Sequence, residues 1–272
     1  MEEPATDSAA APAAWWGSLD VAQGKAVHYG IGPLALWIAR RPNEWRVVYG
    51  HEHPLAGSPG LTANVELPQD FEKLRAARFG VGHAHTALQI SPVMPDKPVI
   101  TRPRSAITIP AVESVTLFVG CPVWVRLVEP EPGRLLMDVP SSRPVLTWWG
   151  ENTLDGEACY ASRTFGKLRL DKSEPDPHRV ITAVQVDNQS DAPLVIERLH
   201  LPVRSLSVFA AADGRLWTEA VRLIRKEGQA FAELRVESDP GTAAGKAKRV
   251  GEPRHTHHAN ELVRAFGKLF RM

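Results

Sequence analysis

Val123-Trp124-Val125-Arg126-Leu127 places Val123, Val125 and Leu127 on one face of an extended chain and Trp124 and Arg126 on the other. Leu194-Val195-Ile196-Glu197-Arg198-Leu199 repeats the pattern, with charge confined mainly to one face. Side chains on a strand alternate with a period of two, so these segments read as half-buried antiparallel strands. Short β-branched and aromatic runs broken by Pro and Gly extend the signal from Lys25 to Val236. They predict strands at 26–29, 34–39, 44–49, 106–109, 115–119, 123–128, 135–139, 145–149, 158–164, 167–170, 180–186, 194–203, 206–210, 216–224 and 231–236.

The connections agree. Asp187-Asn188-Gln189-Ser190-Asp191 is a polar turn cluster and Asp213-Gly214 a tight hairpin signal. Prolines 92, 95, 98, 103 and 110 break any helix across 91–110. No strand–helix alternation appears, which excludes a parallel α/β sheet. The expected fold is mainly β, built of antiparallel β-sandwich-like modules with a C-terminal amphipathic helix. So many strands suit two cores, since single cores stop growing as chains lengthen. The expected modules are 15–140 and 141–245, divided at the Pro-rich stretch 139–144.

Two helices are expected. Gln69–Phe79 has Asp70 as an N-cap and Phe71, Leu74 and Arg78 on related turns. In Asn260–Arg271, residues Leu262, Val263, Phe266, Leu269 and Phe270 form one apolar stripe beside Arg264, Lys268 and Arg271.

The chain has 272 residues and a formal net charge of +1, which argues against a whole-protein grip on nucleic acid. That near-neutrality hides a polarity. Residues 1–14 hold Glu2, Glu3 and Asp7 without a base, and nothing to bury, so they read as a disordered leader. Residues 246–272 form a basic tail rich in Lys and Arg. The acidic start and the alanines interrupted by Pro4 and Pro12 do not make a secretory signal, so the expected compartment is the cytoplasm. There Cys121 and Cys159 stay reduced. No stretch approaches the ~18 apolar residues of a membrane-spanning helix.

Histidine carries the oddest pattern. His51-Glu52-His53, His83-Ala84-His85 and His255-Thr256-His257-His258 hold seven of ten histidines. An H-x-H pair on a strand points both rings to one face, so His51, His53, His83 and His85 are candidate ligands for zinc, iron or manganese. Glu52 or Asp96 would add an oxygen donor. The competing reading makes them exposed loop histidines. The cysteines read as small buried apolar residues. No nucleophile elbow, zinc-protease helix or phosphate loop is present.

Leu146-Thr147-Trp148-Trp149-Gly150 followed by Gly156–Thr164 reads as a hairpin in which the two tryptophans face opposite ways. One ring belongs in the core. The other would form an aromatic shelf near Tyr160 and Arg163 able to stack a ring or a cation, unless loops cover it. Arg102 and Arg104 are expected to pair with carboxylates such as Glu129 or Asp138, or to meet an acidic ligand.

The blocks Ser91–Pro103, Leu146–Gly150 with Gly156–Thr164, Asn188–Ser190, Glu197–Val203 and Leu216–Thr218 together resemble an uncharacterised domain-of-unknown-function family of archaeal and bacterial proteins. That resemblance spans about 15–270 and implies a mainly β fold, with no activity or catalytic residue to carry over. The expected function is a non-enzymatic binding or regulatory module presenting a loop or hairpin surface to a protein or small molecule. One alternative is a metal-dependent enzyme or sensor using the histidine pairs. Another is contact with a membrane surface or a second copy of the chain, a homodimer, through Asn260–Met272.

Overall fold

The computed structural model describes residues 14–51, 60–68, 73–82, 85–150, 156–164, 166–170, 175–228 and 232–255. Of the described residues, 58% are strand and 3% helix, the helix being short 3-10 turns alone, so the mainly β expectation holds. The expected C-terminal helix at Asn260–Arg271, together with His53 and His83, lies outside the described residues.

In chain order the strands begin with β1 (Gly17–Asp20), β2 (Ala26–Ile31), β3 (Leu34–Arg41), β4 (Glu44–Gly50), β5 (Gly60–Ala63) and β6 (Arg75–Gly80). There follow β7 (Ala87–Val93), β8 (Val99–Pro103), β9 (Ile107–Ile109), β10 (Glu113–Pro122), β11 (Trp124–Glu129) and β12 (Arg134–Pro140). Next come β13 (Val145–Trp149), β14 (Glu157–Thr164), β15 (Arg179–Gln189), β16 (Leu194–Ile196) and β17 (Leu199–Leu201). The last are β18 (Val208–Ala211), β19 (Leu216–Trp217), β20 (Val221–Lys226), β21 (Glu233–Val236) and β22 (Ala247–Gly251).

Five sheets result. The first has the order β5-β2-β3-β4-β6, and the second β1-β7-β11-β12. The third, β21-β20-β15-β19-β18-β22, has β10 on the other edge of β15. The fourth runs β13-β14-β8-β17, and β9 pairs with β16 alone. All pairings are antiparallel except β8–β14, β15–β19 and β15–β20. The deciding stretch behaves as read: along β11, Val125 and Leu127 are fully buried while Trp124 and Arg126 are half-buried.

One apolar core draws on all five sheets, through residues such as Leu36, Leu88, Val184, Leu201 and Ile196. Strands on either side of 139–144 share sheets, since β8 pairs with β14, β9 with β16 and β10 with β15. Burial of this apolar surface is the main force holding the sheets together.

Several elements depart from expectation. Residues 75–79 of the expected Gln69–Phe79 helix belong to strand β6, which pairs with β4 from Tyr49↔Arg75 to Glu44↔Gly80. Arg78 bonds Glu44 across that pair, and β4 would otherwise leave a row of backbone groups unpaired. Tertiary pairing thus overrides a helical pattern. Residues 194–203 split into β16 and β17 because the two halves join different sheets. Lys167 forms only an isolated bridge with Phe118. The opening of the basic tail is edge strand β22, where Gly251 lies so close to the Pro92 carbonyl that a side chain would collide. Arg254 then donates to the Met94 carbonyl at 2.6 Å and pairs with Asp138.

Asp138 is held by Arg126 and Arg254, and Glu129 by Arg134. Among the described residues, no helix is long and apolar enough to cross a membrane.

Candidate functional site

A cavity of about 390 Å³ opens where β10, the end of β14, the start of β15 and the β18–β19 turn meet. Phe118, Leu170, Ile181 and Leu216 supply apolar wall. Arg163, Lys167, Arg179 and Arg215 line it as well, with Asp176 and His178. Among the described residues, four cationic side chains line it against one carboxylate.

Local structure fixes each group. Arg163 is on β14, whose odd-numbered residues face away from Tyr160. Lys167 is set by its bridge, in which Phe118 N–H donates to the Lys167 carbonyl at 2.8 Å. Arg179 is partly committed to structure, donating to the carbonyls of Gly120 at 2.6 Å and Arg163 at 3.1 Å. Arg215 pairs with Asp213 at 3.4 Å across the turn.

The segment 176–178 is tied down from several sides. The Trp15 indole donates to the Pro177 carbonyl at 2.9 Å. Val123 N–H and the Ser141 hydroxyl both donate to the His178 carbonyl, at 3.0 and 3.1 Å. The His178 ring pairs with Asp176 and lies against Gly32 in the β2–β3 turn. Burial alone would raise the Asp176 pKa. The hydrogen bonds and charge of His178, with Arg179, outweigh it and leave the carboxyl below its ordinary value.

The residues expected to form the aromatic shelf separate. Trp149 is buried, 9% exposed, and packs with Ile100 and Cys159, whereas Trp148 is 44% exposed. The register Trp148↔Ala158 and Trp149↔Glu157 puts Trp148 on the Tyr160 face and Trp149 on the Arg163 face. Tyr160 turns inward, donating to Asp96 at 2.8 Å with its ring 5.8 Å from that of Trp124. Burial and that hydrogen bond push its phenol up to about 12. One tryptophan is in and one out, so loops do not cover both rings, and the four residues do not share a surface.

The described members of the histidine pairs are also apart. His51 follows β4 and has Nε2 2.8 Å from the Pro140 carbonyl. The His85 carbonyl accepts from Arg40, which pairs with Trp45 at the opposite end of β4. A strand rise of ~3.3 Å per residue puts most of that strand's length between them.

Burial confirms the reading of the cysteines: both are buried. It pushes each thiol up to about 12. Of the cavity cations, the sequence had singled out Arg163 alone. Asp176-Pro177-His178-Arg179, a charged cluster entering a strand, is a local signal for Arg179, but Lys167 and Arg215 give none. A model described as a protein of unknown function, DUF432, matches residues 15–271. The chain belongs to the DUF432 family. Membership covers every described element except residue 14, including the whole cavity wall. No curated protein and no solved structure matches this DUF432 chain.

Proposed function

We propose that the chain is a non-enzymatic binding module whose cavity takes a small anion bearing a carboxylate or phosphate group. The observation that supports this is the convergence of Arg163, Lys167, Arg179 and Arg215 on one cavity beside the carboxylate of Asp176. Arginine is suited to planar, paired hydrogen bonding of such groups, and lysine to a point charge. A volume of about 390 Å³ suits a small molecule, and the apolar wall would accept its carbon frame. The buried cysteines suit a reducing compartment.

Calorimetric titration tests the reading with inorganic phosphate and with citrate, each at low and high salt. Saturable binding is expected for at least one of them, falling about tenfold or more in Arg163→Ala and in Lys167→Ala and weakening with salt. No saturable heat with either probe, or binding indifferent to both substitutions, refutes it.

A further inference from the structure

A second constellation lies on the same strand as Arg163 but six residues away, about 20 Å along β14 by strand rise. Glu157 and Cys159 are two apart on β14 and so point to one face. β8 pairs with β14 on one edge and β17 on the other, which brings His200 of β17 to that same face. His200 Nε2 lies 2.9 Å from Glu157 Oε1. The carboxylate oxygen, the thiol sulfur and the imidazole nitrogen all fall within 4.8 Å of one another.

We propose that Glu157, Cys159 and His200 form a binding site for a thiophilic divalent cation of the zinc class. Tetrahedral zinc holds sulfur at about 2.3 Å and nitrogen or oxygen at about 2.0–2.2 Å, which sets ligand-to-ligand edges of roughly 3.3–3.7 Å. The Glu157–His200 edge, at 2.9 Å, must therefore open by about 0.5 Å and the edges to sulfur close by up to about 1 Å. Glu157, whose side chain is half exposed, has room to shift, while Cys159 and His200 are buried and need small side-chain adjustments. Three protein ligands leave a fourth position for water, the arrangement of an accessible rather than a sealed zinc site.

The surroundings fit the chemistry. Ile100 and Trp149 pack against Cys159, and the Trp149 and His200 rings are 5.6 Å apart. That apolar shell keeps solvent from the sulfur. Arg204 contributes positive charge near Glu157, and Arg198 lies over the Trp149 ring 5.5 Å from its centroid. A thiolate and a carboxylate together supply the negative charge that a divalent ion needs against those cations. An ordinary thiol is protonated at neutral pH. Binding forms a metal–sulfur bond and releases that proton to the buffer, so affinity rises with pH.

Titration of the purified full chain with zinc alone, and separately with cobalt as a spectroscopic probe, tests the site. One zinc per chain is expected, with release of about one proton. The cobalt complex should show a thiolate charge-transfer band and tetrahedral ligand-field absorption. Cys159→Ser and His200→Gln should each weaken zinc by about tenfold or more, and Cys159→Ser should abolish the sulfur band. Cys121→Ser, which alters a buried thiol in β10, should leave both readouts unchanged. Glu157→Gln changes a half-exposed side chain and keeps the test valid if the buried variants misfold; it too should lose affinity. Absence of stoichiometric zinc binding overturns the site, as does retention of binding in Glu157→Gln and Cys159→Ser. Loss of binding in His51→Ala or His85→Ala with Cys159→Ser unaffected would transfer the metal to the histidine pairs and equally overturn it.

Discussion

Gly32, in the turn between β2 and β3, abuts the imidazole of His178 so closely that a methyl group there would overlap the ring. Its φ of 55° also lies in the left-handed region, so two independent restrictions meet at one residue. Gly32→Ala is therefore expected to cost about 2–3 kcal/mol, the sum of backbone strain and overpacking. Gly24 has a φ of 82° and open space around it, so Gly24→Ala should cost only the backbone part, about 1 kcal/mol. Urea unfolding of both variants measures the difference. Gly32→Ala should also weaken phosphate or citrate, because it displaces His178 at the cavity wall, whereas Gly24→Ala should not.

The adjacent tryptophans should respond very differently. Trp149→Ala opens a hole beside Ile100 and Cys159 and is expected to cost about 3–5 kcal/mol. Trp148→Ala removes a ring that is 44% exposed and should cost under about 1 kcal/mol. Equal losses in denaturant melts would contradict the assigned faces of β13.

Asp138 sets a pH dependence. Burial alone would raise its pKa, but the hydrogen bonds and charges of Arg126 and Arg254 prevail and hold it below the ordinary value. A carboxyl whose folded pKa lies below the unfolded value of about 3.9 stabilises the protein above that value. The stabilisation is lost as pH falls through the folded pKa. Asp138→Asn is thus expected to cost about 3 kcal/mol at pH 7 and to make the acid side of the stability profile shallower. Unfolding free energies from pH 7 to pH 2 check both parts.

The fully buried Trp45 indole donates to Glu129 Oε1 at 2.8 Å, and Arg134 bonds the other carboxylate oxygen. Trp45→Phe keeps an aromatic ring but takes one donor from a buried charge. The expected loss is about 2 kcal/mol, seen as a lower denaturant midpoint at unchanged slope. A change in slope would mean that the compactness of the folded or unfolded state had altered instead.

The strands were legible because alternation is a local property. Val123–Leu127 shows it without help from the rest of the chain, and the 145–149 strand was bounded to the residue. Strand β6 was not legible: Phe71, Leu74 and Arg78 fit a helical period, and only the open edge of β4 made that segment extended. Strands β7 and β8 were hidden by their prolines, which local rules assign to loops and edges. In the fold, β7 is nonetheless an inner strand between β1 and β11.

The candidate sites show the same division more sharply. Cys159 could be read as buried from its strand pattern, and Trp148 and Trp149 as opposed, since each conclusion needs only a period of two. Nothing near Lys167 or Arg215 announces a shared cavity with Arg163 and Arg179, and nothing near His200 announces Glu157. Hydrophobic periodicity within a few residues settles which way a side chain points. Which distant groups then meet depends on strand order and register, and those are chosen by burying one common core across all five sheets.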